Sequence, residues 1–176
     1  MKYREAIVEA MRMLTQDKRT LFIGQSVRYS GHAIFNTLKD AKVPLDKRIE
    51  LPVFEDTQLG MSTGLALEGF IPISIYPRID FLIIAMNQLV NHLDKWVEMS
   101  HGEFNPKVII RTMVGSKEPL NPGPQHYQDY TEALRLLCPN IDIYKLLYTD
   151  EVLECYKMAL ASKKSSILIE LGDLYG

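Results

Sequence analysis

The sequence has 176 residues, of which 47% are hydrophobic and 24% charged, the balance of one ordinary globular domain. Its 20 Lys plus Arg stand against 22 Asp plus Glu, a net charge of −2, which excludes nucleic-acid binding driven by bulk positive charge. The longest apolar run, Phe81 to Met86, is far too short to span a bilayer.

Glu5, Glu9 and Asp17 interrupt the start of the chain, so it reads as neither a signal nor a transit peptide. The two cysteines, Cys138 and Cys155, suggest no disulfide framework. Reduced thiols and a cytoplasmic location are the expectation.

Helical and strand-like stretches then alternate along the chain. Tyr3, Ile7, Met11 and Leu14 fall on one stripe at helical spacing. Thr20 to Ile23 reads as a short buried strand closed by Gly24, and a helix follows around Ala33 to Lys42. Arg48 to Leu51 is a weak strand stopped by Pro52. Glu55 to Gly69 reads as a helix with acids in its first turn and glycine at its end. Ile71 to Tyr76 is strand.

Leu82, Met86, Leu89, Leu93 and Trp96, at steps of four and three, predict the longest helix of the chain. Lys107 to Arg111 is the best strand. Met113 to Gln125, rich in Gly and Pro, is a loop. A helix near Tyr130 to Leu137, a strand near Ile141 to Tyr144, a helix from Asp150 to Ser162 and a strand at Ser166 to Glu170 complete the order.

Strands separated by helices require crossover connections, hence a mostly parallel sheet covered on both faces. The fold class is α/β, three-layered, with residues 1–176 forming a single domain. Ligands of such sheets sit beyond the carboxyl ends of the strands. The segments expected there are Gly24 to Gly31, Val53 to Asp56, Pro77 to Phe81 and Thr112 to Tyr127.

Several familiar motifs are missing. No Gly-x-Gly-x-x-Gly follows a strand, and there is no Walker loop, zinc spacing or Gly-x-Ser-x-Gly elbow. Gly60 and Gly64 lie four apart inside a helix, where they allow close packing. Of the four histidines, only His126 sits in a Gly/Pro-rich loop among polar neighbours, Gly123-Pro-Gln-His-Tyr-Gln128. Taken alone it is either a surface residue or a catalyst. Glu55 follows Leu51-Pro-Val-Phe54 and opens a helix. It is either an acid favoured by the helix dipole, worth under about 1 kcal/mol, or a half-buried carboxyl able to hold a proton.

Taken in order and spacing, these residues resemble the pyrimidine-binding domain of thiamine-diphosphate enzymes. The likeness lies within the transketolase-like group, towards the beta subunit of the decarboxylating component of 2-oxo acid dehydrogenases. It runs from Tyr3-Arg-Glu-Ala6 and Leu21-Phe-Ile-Gly24 through Leu51-Pro-Val-Phe-Glu55, Gly60 and Gly64-Leu-Ala-Leu-Glu-Gly69. It continues with Asp80-Phe81, Asn87-Gln-Leu-Val-Asn91, Lys95, Met99-Ser100 and Val108-Ile-Ile-Arg111. Gln125-His-Tyr-Gln128, Leu168-Ile-Glu170 and Tyr175-Gly176 close it.

The resemblance implies roles for three residues. Glu55 matches the glutamate that donates to a ring nitrogen of the cofactor's aminopyrimidine, a step suited to a buried carboxyl, because desolvation disfavours the charged form. Phe81 matches the aromatic residue that stacks on that ring. His126 matches a histidine that faces the substrate. The implied cofactor is thiamine diphosphate, shared with a partner subunit that also holds Mg.

Departures from the family pattern matter too. Leu171-Gly-Asp-Leu174 lacks the Gly-Asp-Gly of the diphosphate-binding module, and no carboxyl-terminal transketolase-type module is recognised. An acid often found after the first strand is replaced by Gly24-Gln-Ser-Val27. Lys163 and Lys164 occupy the stretch matching a potassium site, and no metal is assigned.

The expectation is therefore a pyrimidine-binding subunit, inactive alone. It works in a heterotetramer with a separate diphosphate-binding, alpha-type subunit on a 2-oxo acid, with self-association across the long helix. Two alternatives stay open. One is a split transketolase-like subunit acting on a ketose phosphate, with Arg78, Arg111 and Lys117 as phosphate contacts. The other is a non-catalytic homodimeric scaffold joined through the apolar stripe of the helix from Leu82 to Trp96.

Overall fold

A computed structural model describes residues 1–118 and 121–175. Six strands form one sheet in the order β2-β1-β3-β4-β6-β5, and every neighbouring pair is parallel. They are β1 (Thr20–Gly24), β2 (Arg48–Glu50), β3 (Ile71–Tyr76), β4 (Ile109–Val114), β5 (Asp142–Lys145) and β6 (Ser166–Leu171). The α/β reading and its crossovers hold.

Strand residues alternate between two cores, as the period of two demands. Ile71, Ile73, Ile75, Ile109 and Leu168 face one side. There they meet α1 (Tyr3–Gln16), α2 (Ala33–Asp40) and α7 (Thr149–Ala161). Tyr76, Ile110, Ile167 and Ile169 face the other side. That side is covered by α3 (Glu55–Leu67), α4 (Ile79–Leu82), the helical segment after it, and α6 (Thr131–Leu137). The order in which strands are added reverses between β1 and β3, which places a crevice at their carboxyl ends.

The expected long helix from Leu82 to Trp96 is not one regular helix. After α4 the chain makes a 3-10 turn over Ile83–Ala85 and a π-helix over Asn87–Leu93, and α5 spans only Trp96–Met99. In the π segment Asp94 N donates to Leu89 O five residues back, at 3.0 Å. The changes of pitch keep Leu82, Ala85, Leu89 and Leu93 all pointing inward. An apolar spacing of three and four does not distinguish these pitches, which is why the sequence reads as a plain α-helix.

The stripe invoked for a scaffold dimer is therefore internal: Leu82 and Leu89 are 0% and Leu93 is 5% exposed. A Cβ added at Gly60 would meet the Gln88 side chain at ordinary contact distance, and one at Gly64 would meet open space. Packing so close that it requires glycine is thus not seen at Gly60 or Gly64 among the described residues. β4 reaches Val114, so the predicted loop begins later than Met113, and its residues 119 and 120 lie outside the described residues, as does Gly176.

A polar cluster is sealed beside the first core. The guanidinium of Arg111 on β4 donates from Nε to Glu170 Oε1 at 2.7 Å and from Nη2 to Oε2 at 3.0 Å. Nη2 also reaches Thr37 Oγ1 and Tyr175 OH, and Tyr156 OH donates to Glu170 Oε1. Arg111 and Glu170 are both 0% exposed. Burial works against the Arg111 charge, but the Glu170 carboxylate holds the guanidinium protonated far above the physiological range. The two thiols are free and buried. Burial pushes Cys138 up to about 12, so it is an inert core group.

Candidate active site

Each predicted site residue lies at the carboxyl end of the sheet. Glu55 is the first residue of α3, immediately beyond β2, and it is 5% exposed. Both sequence readings of it describe its position: it opens a helix, and it is buried. Tyr76 OH, at the end of β3, donates to the Glu55 backbone carbonyl at 3.1 Å and pins the helix start. Burial and the Glu55 and Asp56 charges raise the Tyr76 phenol far above neutrality, so it is a fixed donor.

Gln25 Nε2 donates to Glu55 Oε1 at 3.3 Å. Among the described residues Oε2 has no hydrogen-bond partner. Glu55 lines a small cavity of about 160 Å³ with Val53, Phe54, Asp56, Thr57 and Ile84.

Gln25 follows Gly24 at the end of β1, where β1 lies tightly against β3. At Gly24 φ is +148°, and an added Cβ would lie 2.3 Å from the Ile75 carbonyl oxygen, so only glycine fits. Gln58, one turn into α3, fills the same crevice with Nε2 donating to Ile75 O at 2.9 Å and Ser74 Oγ at 3.2 Å.

Phe81 belongs to α4, and His126 to the loop after β4. Their rings meet edge to face, centroids 5.5 Å apart. Three contacts hold the loop there. Arg78 Nη1 donates to the His126 carbonyl at 3.0 Å, and Gln128 N donates to Asp80 Oδ1 at 3.1 Å. The third is steric: a Cβ on Gly115 would sit 1.9 Å from His126 O. His126 Nδ1 and Asp80 Oδ2 are buried without a partner among the described residues. Lys117 Nζ lies 4.4 Å over the Tyr127 ring.

The structure thus joins Phe81 directly to His126. Glu55 stands apart from them, sharing its cavity with Ile84 on the helical turn that follows Phe81. Gln25, Gln58, Gly115 and Asp80 complete the site, and sequence reasoning gave them no role. Gly115 after a strand was the one available signal. A buried glutamine in mid-helix looks like a surface residue until its neighbours are known.

Of the cations offered for a sugar phosphate, only Arg111 is buried away from solvent. Arg111 is sealed against Glu170, Arg78 holds the His126 carbonyl and Lys117 lies on Tyr127.

The donor set fits an aminopyrimidine. It offers a carboxyl with one free oxygen, an aromatic ring, and an imidazole nitrogen buried without a partner. No group of three or more His, Cys, Asp or Glu among the described residues is arranged to hold a metal ion, and none of their helices is long and apolar enough to cross a membrane.

Comparison with known proteins places the chain. No protein-family model matches it. The 3-methyl-2-oxobutanoate dehydrogenase subunit beta of Mycobacterium tuberculosis is 28% identical over 150 residues, covering 81% of this chain and 42% of that protein. The pyruvate dehydrogenase E1 component subunit beta of Cyanidium caldarium is 28% identical, covering 98% and 51%. The chloroplastic subunit beta-3 of Oryza sativa subsp. japonica is 30% identical, covering 98% and 42%. The chain spans about half the length of these relatives.

Among solved structures, a split-gene transketolase described as an inactive beta4 tetramer superposes with a TM-score of 0.71 at 16% identity, over 97% of this chain and 51% of that one. Transketolase from Leishmania mexicana gives 0.72 at 15%, over 96% and 25%. At that identity the likeness is one of fold.

Fold and relatives agree on one class: the chain is similar in sequence to beta subunits of 2-oxo acid dehydrogenases and in fold to transketolases, consistent with a pyrimidine-binding domain of the thiamine-diphosphate enzymes. Within that class the chain is a relative of the beta subunits of the E1 component of 2-oxo acid dehydrogenases.

Proposed function

We propose that this chain forms the pyrimidine side of a thiamine-diphosphate site in a two-chain enzyme acting on a 2-oxo acid. Residues 1–176 act as one pyrimidine-binding unit. A separate alpha-type subunit supplies the diphosphate and magnesium contacts, and the active assembly is a heterotetramer in the cytoplasm. The observation that carries the reading is that Glu55, Phe81 and His126 follow the carboxyl ends of β2, β3 and β4, with Phe81 and His126 in contact and Glu55 Oε2 free among the described residues.

When bound, thiamine diphosphate supplies a carbon nucleophile for the substrate carbonyl and a ring that accepts the electrons of bond cleavage. Glu55 moves a proton to and from a pyrimidine nitrogen through Oε2 while Gln25 orients Oε1. Phe81 packs on the pyrimidine, adding about 1 kcal/mol beyond burial. His126 meets the substrate oxygen and moves a proton there. Arg78 and Gly115 position His126 through its backbone.

The test is reconstitution with a diphosphate-binding chain from the same host. The pair should release carbon dioxide from a 2-oxo acid, and Glu55→Ala should nearly abolish turnover while the far-ultraviolet dichroism stays unchanged. Near-normal turnover in that variant removes Glu55 from the mechanism. Turnover of a ketose phosphate, with no 2-oxo acid consumed, moves the chain to the transketolase branch.

A further inference from the structure

A cavity of about 510 Å³ opens at the amino ends of β4, β5 and β6, the end of the sheet opposite Glu55, Phe81 and His126. Its size lies in the range, roughly 300–1,000 Å³, of pockets that take small molecules.

One side of it is built on Asp94, which is 3% exposed. Asp94 Oδ1 accepts from Asn140 N at 2.9 Å, and Oδ2 accepts from Asn140 Nδ2 at 3.3 Å. Asn140 Nδ2 also donates to the Asp94 carbonyl at 3.1 Å, and Lys95 Nζ balances the Asp94 charge at 2.8 Å. The Asn140 amide is therefore fixed with its donors turned to Asp94. Its Oδ1 accepts from no group among the described residues and lies on a residue that lines the cavity. Glu98, four residues beyond Asp94, lines the cavity as well, and its carboxylate has no hydrogen bond or ion pair among the described residues.

The other side is built on Ser165. Its hydroxyl donates to the Pro106 carbonyl and accepts from Val108 N, both at 3.0 Å. That clamp ties the segment before β4 to the segment before β6. It brings Asn105 and Lys164, the residues preceding Pro106 and Ser165, to the same cavity. The Asn105 side chain makes no hydrogen bond among the described residues, and Lys164 Nζ has only Asp142 Oδ1 at 3.7 Å, beyond hydrogen-bond distance. Leu93 and Val97, four residues apart on the helical segment, join Pro106 and Ile141 in an apolar floor.

One cavity thus offers an acceptor side, Glu98 and Asn140 Oδ1, and a donor side, Asn105 and Lys164, over aliphatic carbon. A ligand of one charge satisfies one side and desolvates the other without a partner. A zwitterion satisfies both. Its ammonium donates to Glu98 and Asn140 Oδ1, its carboxylate accepts from Lys164 and the Asn105 amide, and both sets are charge-assisted bonds. An aliphatic side chain covers the floor. We propose that this cavity binds a small aliphatic zwitterion, an α-amino acid or a short peptide. The site stands on its own contacts and is independent of the cofactor reading.

The experiment is a titration of the 15N-labelled full chain with L-leucine and, separately, with leucyl-leucine, following the amide signals of Val97, Glu98, Asn140 and Ile141. At least one probe should shift these signals together and saturate. The tighter probe identifies the source, leucine for a free amino acid and the dipeptide for a peptide. N-acetyl-leucine amide keeps the side chain and lacks both charges, and it should bind at least about threefold more weakly. Glu98→Gln and Lys164→Met, both at exposed positions, should each weaken the better probe to a similar extent with amide dispersion unchanged. Val97→Trp fills the floor and should abolish the shifts. The proposal is overturned if neither probe gives a saturable shift in the native chain, or if the capped analogue binds as tightly as the better probe. Unchanged affinity in both charge variants, or binding that survives Val97→Trp, overturns it equally.

Discussion

The rings of Phe81 and His126 meet edge to face, 5.5 Å between centroids and 84° between planes. The contact joins a helix after β3 to a loop after β4, so it exists only once both strands are paired. It is seated by backbone. The His126 carbonyl takes the Arg78 guanidinium at 3.0 Å and lies flush against Gly115. The histidine's position is therefore set by Arg78 and Gly115 acting on its backbone.

Gly115→Ala tests that seating. The new methyl would fall 1.9 Å from His126 O and 2.0 Å from Arg78 Nη1, so the loop must lift. Turnover of the reconstituted pair should drop at least about a hundredfold, as for a reacting group displaced by about 1 Å. The melting temperature should change much less, since the loop lies at the surface. Full activity in this variant would mean that His126 needs no fixed position.

The Arg111–Glu170 pair predicts a stability effect separate from activity. Arg111→Met leaves the Glu170 carboxylate buried without its cation, and should cost about 3–5 kcal/mol in chemical denaturation. Adding Glu170→Gln to that variant removes the stranded charge and should recover part of the loss. Equal stability of the single and double variants would show that the charge is not what makes the single variant costly. Neither result bears on phosphate recognition, because Arg111 is inside the core.

His32 predicts the acid limb of the stability curve. Its Nδ1 caps α2 by accepting from Ile34 N at 3.3 Å. Burial lowers its pKa to about 4, with the Arg78 and Arg111 charges acting in the same sense and Glu170 opposing. The folded protein therefore binds this proton less readily than the unfolded chain, whose histidine titrates near the ordinary value of about 6.5. The contribution is complete above about pH 6.5 and is lost as the pH falls towards 4. Urea midpoints should decline over that window, and His32→Asn, which keeps a capping oxygen, should flatten the decline. An unchanged pH slope in the variant would assign the acid sensitivity elsewhere.

The sequence makes the outline of the fold legible because its strands and helices keep their own periods. Ile71, Ile73 and Ile75 alternate with the residues of the opposite core, and Tyr3, Ile7, Met11 and Leu14 recur at helical steps. The 3-10 and π turns between Ile83 and Leu93 are invisible by the same logic, since apolar steps of three and four fit several pitches. Arg111 looks like a ligand-loop cation in sequence. Only its partner Glu170, 59 positions away, makes it a core residue.

The positions of Glu55, Phe81 and His126 beyond the strand ends are legible through resemblance, because each stands in a recognisable order along the chain. The contacts of Gln25 with Glu55 and of Glu50 with the Ser26–Arg28 amides are not, because they arise from packing of distant segments. The local sequence Gly24-Gln-Ser-Val27 carries no sign that successive amides converge on one carboxylate. That convergence depends on φ at Ser26 and on a carboxylate brought in from the neighbouring strand.

The central claim is that this chain makes half of a thiamine-diphosphate site, and cofactor binding tests it most directly. The tagged chain, recovered from its host with its stoichiometric partner, should be titrated calorimetrically with thiamine diphosphate in the presence of Mg. The account predicts saturable binding to the complex, much weaker binding to the chain alone, and reduced affinity in the Phe81→Ala complex. A complex that binds no thiamine diphosphate, or a chain that is recovered only as a homodimer and binds none, would contradict it.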